Sequence, residues 1–343
     1  MRACVLHAAG DLRVEDRPEV DLAPDEVRLA FGYGGICGSD LHYLAHGRVG
    51  DSIVRDPMIL GHEFTGTVLE TGSSVTDMRP GDAVVVNPSR PCGECAYCCS
   101  GRINLCQAMR YMGSAAKRPH EQGGFVERPV VRRANCVALP PGADPRLAAL
   151  AEPYAIALHA ASRAGDLTGQ TVLVTGAGTI GALCAIAARR QGAAHIIATD
   201  VEDATLARVK ALGVDRCINV ATDSEAVAAL IAEQTVSAVL ECSGAAKALD
   251  LAVQAVRPAG RVVQVGFLPI DEGLSINALL TKELEIVGSY RFVDEFETAV
   301  ADIVDRRVDV AGVVTAVHGI DALDLAFAEA ADRRRNLKVL VHF

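Results

Sequence analysis

Cys37 and the run Gly61-His62-Glu63-Phe64-Thr65-Gly66-Thr67-Val68 bring a thiolate, an imidazole and a carboxylate close together in the chain. A thiolate with an imidazole is the donor set of a zinc site that leaves one position open for a substrate. Further on, Gly176-Ala177-Gly178-Thr179-Ile180-Gly181 has the spacing of a dinucleotide-binding turn. A metal with an open position, set ahead of a dinucleotide site, fits the removal of hydride from an alcohol. On these residues alone other readings stay open. His62 also reads as a satisfied core histidine and Glu63 as a solvated turn residue. Cys37, inside Gly34-Gly35-Ile36-Cys37-Gly38-Ser39-Asp40, also reads as a small buried hydrophobe.

A second cluster is Cys92-x-x-Cys95-x-x-Cys98 followed by Cys106. Four thiolates with no open position make a structural zinc site, and metal binding there contributes directly to folding. Buried thiols without metal, or an iron–sulfur cluster, are the other chemistries this spacing allows. Cys99 breaks the period and is left out.

The elements that must position these residues divide the chain in two. Up to about residue 150, short β-like runs alternate with turn signals: Glu26–Phe31, Gly66–Glu70, and Asp82–Val86 after Arg79-Pro80-Gly81. From Leu147 the texture changes. Val172–Thr175 reads as a buried strand, and the glycine turn then opens an Ala-rich helix to about Gln191. Ile196–Asp200 is the next strand, Asp203–Leu212 a helix, Cys217-Ile218 a strand, and Val236–Glu241, Ala245–Val256 and Arg261–Gly266 continue the alternation. This predicts a doubly wound parallel sheet, an α/β fold. Helix-like stretches Glu295–Arg306 and Ala322–Asp332 precede a last strand, Lys338–His342, that is placed to return to the first domain. The expected domains are therefore 1–153, completed by about 292–343, and 154–291.

In the glycine turn, Gly176 permits the tight bend, Gly178 lets a pyrophosphate reach the backbone and Gly181 lets helix pack on strand. The helix N-terminus at Thr179 and Ile180 then offers free N–H groups to phosphates. Asp200, ending the next strand, can accept hydrogen bonds from both ribose hydroxyls and would repel a 2′-phosphate. Val201, Glu202 and Asp203 follow it, with no arginine, so NAD is favoured over NADP.

Half of the 343 residues are hydrophobic, 4% are aromatic, Trp is absent and the net charge is −10. An acidic chain poor in aromatics argues against a nucleic-acid partner. No apolar run reaches the ~18 residues of a membrane span. The opening Met1-Arg2-Ala3-Cys4-Val5-Leu6-His7 is too short for an export signal, and eleven cysteines without one do not read as a disulfide framework. A cytoplasmic location is expected.

Gly61-His62-Glu63-x-x-Gly66-x-Val68, Cys37-Gly38-Ser39-Asp40-x-His42, the four-cysteine lobe and the Gly176–Gly181 turn resemble the zinc-dependent medium-chain alcohol and polyol dehydrogenases. The resemblance covers essentially the whole chain and implies a β-rich GroES-like catalytic domain with a Rossmann domain. Cys37–Tyr43 and Ala151-Glu152-Pro153 look like the sorbitol dehydrogenase branch. Asn87–Gly93 and Tyr111–Ala115 through His120 are most similar to L-idonate 5-dehydrogenases. The complete four-cysteine lobe, which animal sorbitol dehydrogenases tend to lack, is similar to bacterial enzymes.

The resemblance implies two zinc ions per subunit. Cys37 and His62 would ligate the catalytic one, with Glu63 as third ligand, directly or through water, and Glu152 exchanging as substrate enters. Cys92, Cys95, Cys98 and Cys106 would hold the structural one. Ser39 would take the alcohol proton and His42 pass it to solvent. Tyr43 would lie against the substrate, and Arg291 would reach a polyol or carboxylate. It also implies a homotetramer or homodimer. Two carboxylates and a thiolate would make the zinc less electrophilic than neutral ligands would, so oxidation is expected to favour moderately alkaline pH. For an aldonate substrate, Arg118 in Lys117-Arg118-Pro119-His120 is a second candidate cation, because its planar fork suits a carboxylate. That run reads equally as a solvated basic loop. The activity expected is oxidation of L-idonate at its 5-hydroxyl. The alternatives are a neutral polyol such as sorbitol or xylitol, or a non-catalytic NAD-binding protein that has kept the fold.

Overall fold

Runs such as Val-Leu-Val and Ile-Ile-Ala are apolar at every position, so a sheet holding them must be covered on both faces. The computed structural model, which describes residues 1–268 and 276–343, shows this arrangement. Six strands run in the order Arg216–Asn219, His195–Asp200, Thr171–Thr175, Val236–Glu241, Val256–Gln264, Glu285–Gly288, and every neighbouring pair is parallel. The order reverses direction beside Thr171–Thr175, which is where a doubly wound sheet opens a ligand crevice at its strand ends. Helix Thr179–Arg190 covers one face with eight buried residues, six of them alanine, leucine or isoleucine. Helix Ser224–Glu233 and strand Glu285–Gly288 lie outside the segments expected from sequence.

The other half is built around a mostly antiparallel sheet ordered Cys136–Ala138, Ala83–Val86, Glu63–Thr71, Glu26–Gly35, Lys338–His342, Val314–Gly319, with Val130–Arg132 also pairing Glu26–Gly35. Alternating burial along Glu26–Gly35 shows one face turned to a core of Leu29, Phe31, Phe64 and Phe125. Lys338–His342 forms with the expected bounds and pairs antiparallel to Glu26–Gly35, so the chain's last strand closes its first sheet. Two corrections follow. The strand expected at Gly66–Glu70 begins at Glu63, so the carboxylate starts a strand and does not sit in a turn. Val314–Gly319 is a strand that its sequence does not announce; it pairs parallel with Lys338–His342.

Helix Ala151–Arg163 joins the two halves and has ten buried residues, Glu152 among them. Helix Glu295–Val304 is fastened to it by His159–Glu295 at 2.8 Å, and to Thr179–Arg190 by Arg190 on the fully buried Asp302 at 3.1 Å. Among the described residues no helix is long and apolar enough to cross a membrane.

Candidate active site

Cys37 lies just ahead of helix Gly38–His46 as its N-cap. Its own N–H donates to Asp40 Oδ2 at 2.9 Å, and Asp40 Oδ1 accepts from the Gly61 N–H at 3.3 Å. One fully buried carboxylate thus stitches the Cys37 segment to the His62 segment. Gly61 has φ +90°, and a Cβ there would strike the Phe125 ring at 2.3 Å, so only glycine allows this approach. Gly35 faces Glu63 across the sheet; a Cβ at Gly35 would lie 2.1 Å from Glu63 Oε2.

The ligand atoms of Cys37, His62 and Glu63 lie within 4.8 Å of one another. His62 Nδ1 and Glu152 Oε2 are buried and have no hydrogen-bond partner. Unpartnered buried polar atoms are costly, and a thiolate, an imidazole and carboxylates are donors that suit a divalent zinc ion. The residues fit that metal. Burial opposes a charge on His62, yet neighbouring Cys37, then Asp40 and Glu152, raise its pKa well above the usual imidazole value.

Glu63 is not a free carboxylate. Lys338 Nζ donates to both of its oxygens, at 2.8 and 2.7 Å, and to the Ile36 carbonyl at 3.1 Å, and both side chains are buried. Any metal contact by Glu63 is therefore shared with a lysine. Lys338 was not singled out by sequence. Its one signal is a charged residue opening an otherwise apolar strand.

Glu152, in the first turn of Ala151–Arg163, accepts a hydrogen bond at Oε1 from the Tyr111 hydroxyl. Burial pushes its carboxyl up to about 7. A carboxyl held above its unfolded value ionises first in the unfolded chain. In metal-free protein this site should therefore lose stability as pH rises between the ordinary carboxyl range and about 7. Thermal melts of metal-free protein should decline across that window. Glu152→Gln should flatten the decline, and an unchanged slope would remove Glu152 as its source.

The remaining candidates separate. Ser39 is half-buried in the first turn of Gly38–His46, and His42 is exposed with its ring 5.8 Å from His46. Tyr43 is buried and its hydroxyl accepts from the Ala115 N–H at 3.0 Å, which fixes the ring while leaving the O–H able to donate. Arg118 directs its fork at Asp56, at 2.9 and 3.0 Å, in a pair whose two side chains are largely exposed. The rest of that basic run is also engaged: Lys117 bonds the Gln107 carbonyl and Arg110 pairs with Glu121. Arg291 lies between two rings, 4.6 Å from Tyr111 and 4.8 Å from Tyr290, and has φ +55°, an unusual backbone for arginine. Such strain gathers where a side chain must be aimed.

The four sulfurs of Cys92, Cys95, Cys98 and Cys106 also lie within 4.8 Å of one another. Cys92 and Cys98 are 3.9 Å apart, and Cys92 and Cys106 3.5 Å. A tetrahedron with zinc–sulfur bonds of ~2.3 Å has edges of about 3.8 Å, so the cluster has the size zinc requires. The Cys92 and Cys95 N–H groups donate to sulfurs of the cluster, at 3.2 and 3.4 Å. Cys99 turns away and bonds the Glu94 carbonyl.

At the crevice of the parallel sheet the three glycines differ. A Cβ at Gly176 would meet Ser243 at 2.7 Å, one at Gly181 the Gly176 carbonyl at 1.8 Å, and one at Gly178 nothing within 4 Å. Gly178 is the open approach, at the N-cap of Thr179–Arg190. The Thr179 hydroxyl donates to the Leu337 carbonyl, so at this helix start only backbone N–H groups can face an anion. Asp200 Oδ2 accepts from the Ala177 N–H at 2.7 Å and Oδ1 from Val201 at 2.7 Å, fixing the carboxylate beside the turn. No arginine immediately follows Asp200 in sequence, but folding brings Arg334 onto Glu202 at 3.1 Å.

The chain matches two family models: Alcohol dehydrogenase GroES-like domain over residues 23–141 and Zinc-binding dehydrogenase over residues 179–305. It is 37% identical to L-idonate 5-dehydrogenase (NAD(P)(+)) of Escherichia coli K12, covering 100% of this chain and 98% of that protein. It is 33% identical to the sorbitol dehydrogenase of Gallus gallus, covering 99% and 95%. The crystal structure of the E. coli L-idonate 5-dehydrogenase superposes with a TM-score of 0.95 at 34% identity, covering 100% and 98%. Sheet order, metal clusters and likeness agree: the chain belongs to the zinc-binding medium-chain dehydrogenases that act on the CH–OH groups of polyols and sugar acids with zinc and a nicotinamide dinucleotide.

Proposed function

We propose that the chain oxidises the 5-hydroxyl of L-idonate to the ketone of 5-dehydro-D-gluconate, with NAD as acceptor. The observation that carries this choice is Arg291, a cation stacked on Tyr111 beside Glu152, together with full-length likeness to an L-idonate enzyme. A neutral polyol such as sorbitol is the second reading, favoured by the sorbitol dehydrogenases at 33% identity.

Cys37 and His62 would hold the catalytic zinc, with Glu63 as third donor, while Glu152, outside that group, would hold the zinc-bound water that exchanges as substrate enters. Bound zinc supplies Lewis acidity to the substrate hydroxyl, and the nicotinamide accepts the hydride. Ser39 Oγ receives the hydroxyl proton, and the exposed His42 imidazole passes it to water. Arg291 binds the aldonate carboxylate and orients the chain. Asp200 engages the adenosine ribose and disfavours a 2′-phosphate, while Gly178 and the N–H groups of Thr179 and Ile180 receive the pyrophosphate. Cys92, Cys95, Cys98 and Cys106 would hold the structural zinc. The domain limits proposed are 1–153 with 292–343 and 154–291, since the parallel sheet lies within the second span and Lys338–His342 pairs with Glu26–Gly35. A homodimer or homotetramer would form along the sheet edge at Glu285–Gly288.

Arg291→Ala should lower kcat/KM for L-idonate about 10–100-fold, the worth of a charged hydrogen bond of ~1.5–3 kcal/mol. Sorbitol oxidation should fall far less, and Arg118→Ala should leave both substrates nearly unchanged. Equal losses on the two substrates in Arg291→Ala would remove the aldonate reading. Absence of chelator-sensitive turnover on every aldonate and polyol would remove the enzyme reading altogether.

A further inference from the structure

Tyr111 has no role in the chemistry proposed so far, yet it touches three of the residues involved. Its hydroxyl donates to Glu152 Oε1. Its ring meets the His62 imidazole edge to face, with centroids 5.7 Å apart. The Arg291 guanidinium lies on it at 4.6 Å. The ring is buried against Cys106 and Met109, which fixes it from behind.

A buried phenol needs a partner for its O–H, and a buried carboxylate needs donors for its oxygens. Tyr111 and Glu152 satisfy each other at one atom, while Glu152 Oε2 is left with no partner. Among the described residues, Cys37, His62 and Glu63 form a compact ligand group that Glu152 does not join. The hydrogen bond to Tyr111 keeps Glu152 there. Without it, both oxygens would be buried and unpaired, and the carboxylate would turn to the nearest positive charge. The same ring is also the floor on which Arg291 rests, so the two features cannot move independently.

We propose that Tyr111 is a positioning residue: its hydroxyl holds Glu152 outside the Cys37–His62–Glu63 group, and its ring sets where the Arg291 guanidinium meets a substrate anion. This role presupposes the proposed parts of Glu152 and Arg291.

Cobalt-substituted protein tests it, because the visible absorption of cobalt reports its ligands independently of turnover. Glu152→Ala should leave the wild-type cobalt spectrum unchanged, since Glu152 is held away. Tyr111→Phe should change that spectrum and slow release of the catalytic-site metal to a chelator several-fold. Tyr111→Phe made in the Glu152→Ala background should restore the wild-type spectrum. Tyr111→Phe keeps the ring, so the ratio of kcat/KM for L-idonate over sorbitol should hold. Tyr111→Leu removes the ring and should shift that ratio toward sorbitol by about 3–30-fold, the worth of one cation–π contact. A wild-type-like spectrum in Tyr111→Phe, or an altered one in Glu152→Ala, overturns the inference; the second arm stands even if Tyr111→Phe does not fold. Wild-type protein without turnover on either substrate would instead remove the proposed function, and the cobalt spectra would still decide the role of Tyr111.

Discussion

Replacing His62 with alanine is expected to lower kcat/KM by about 10³-fold and to remove one of the two zinc ions per subunit. His62 is buried, lies against Cys37, and has a ring nitrogen with no protein partner. Loss of a ligating imidazole removes Lewis-acid stabilisation worth several kcal/mol, which is the stated factor in rate. The four-cysteine cluster is a separate site, so the second ion should remain. Elemental analysis alongside steady-state kinetics checks both halves. A variant that keeps both ions and turns over normally would show that the metal lies elsewhere.

The next largest effect is expected at Lys338, and on stability. Lys338→Met strands the Glu63 carboxylate, whose two oxygens have Lys338 as their close cationic partner and which is 1% exposed. Removing one member of a buried ion pair costs about 3–5 kcal/mol, because the other charge is left without compensation. For a chain of this size that is roughly a 4–7 °C fall in melting temperature. Lys338→Arg retains a donor and should recover most of it. A melting temperature for Lys338→Met within 2 °C of wild type would mean that the pair is neutral or that water replaces the lysine. Since Glu63 begins the strand that follows His62, the Met variant should also release zinc more readily; the arginine variant should not.

How much of this was legible in the sequence depends on distance along the chain. The nucleotide turn is local: a strand, three glycines, a helix and Asp200 at the next strand end can be read in order, and the structure packs Gly176 and Gly181 closely while leaving Gly178 open. The four cysteines are local too, and their spacing implies a closed cluster. Lys338 and Glu63 are 275 residues apart, and only the strand register that closes the first sheet with the last strand brings them together. Tyr111 and Glu152 meet for the same kind of reason, through packing between a two-residue strand and a helix in another part of the chain. Asp40 had a faint signal, three residues beyond a helix-capping Cys37, but its second bond to Gly61 did not. Arg118 shows the converse case. Its chemistry suits a carboxylate, and the carboxylate it meets is Asp56. Residue type gave the kind of interaction, and tertiary packing chose the partner.

The four-cysteine lobe also reaches well beyond its own sulfurs. Cys106 and Met109 back the Tyr111 ring, and Asn104, within the same lobe, donates to the Tyr290 carbonyl at 2.9 Å. The two aromatic walls around Arg291 are thus both anchored to this one excursion of the chain. With Arg291 in its proposed role, substitutions in the lobe would alter which polyol or sugar acid is accepted while the Cys37–His62–Glu63 group and the coenzyme crevice stay as they are. Substrate taste would then be adjustable from a place remote from the reacting carbon.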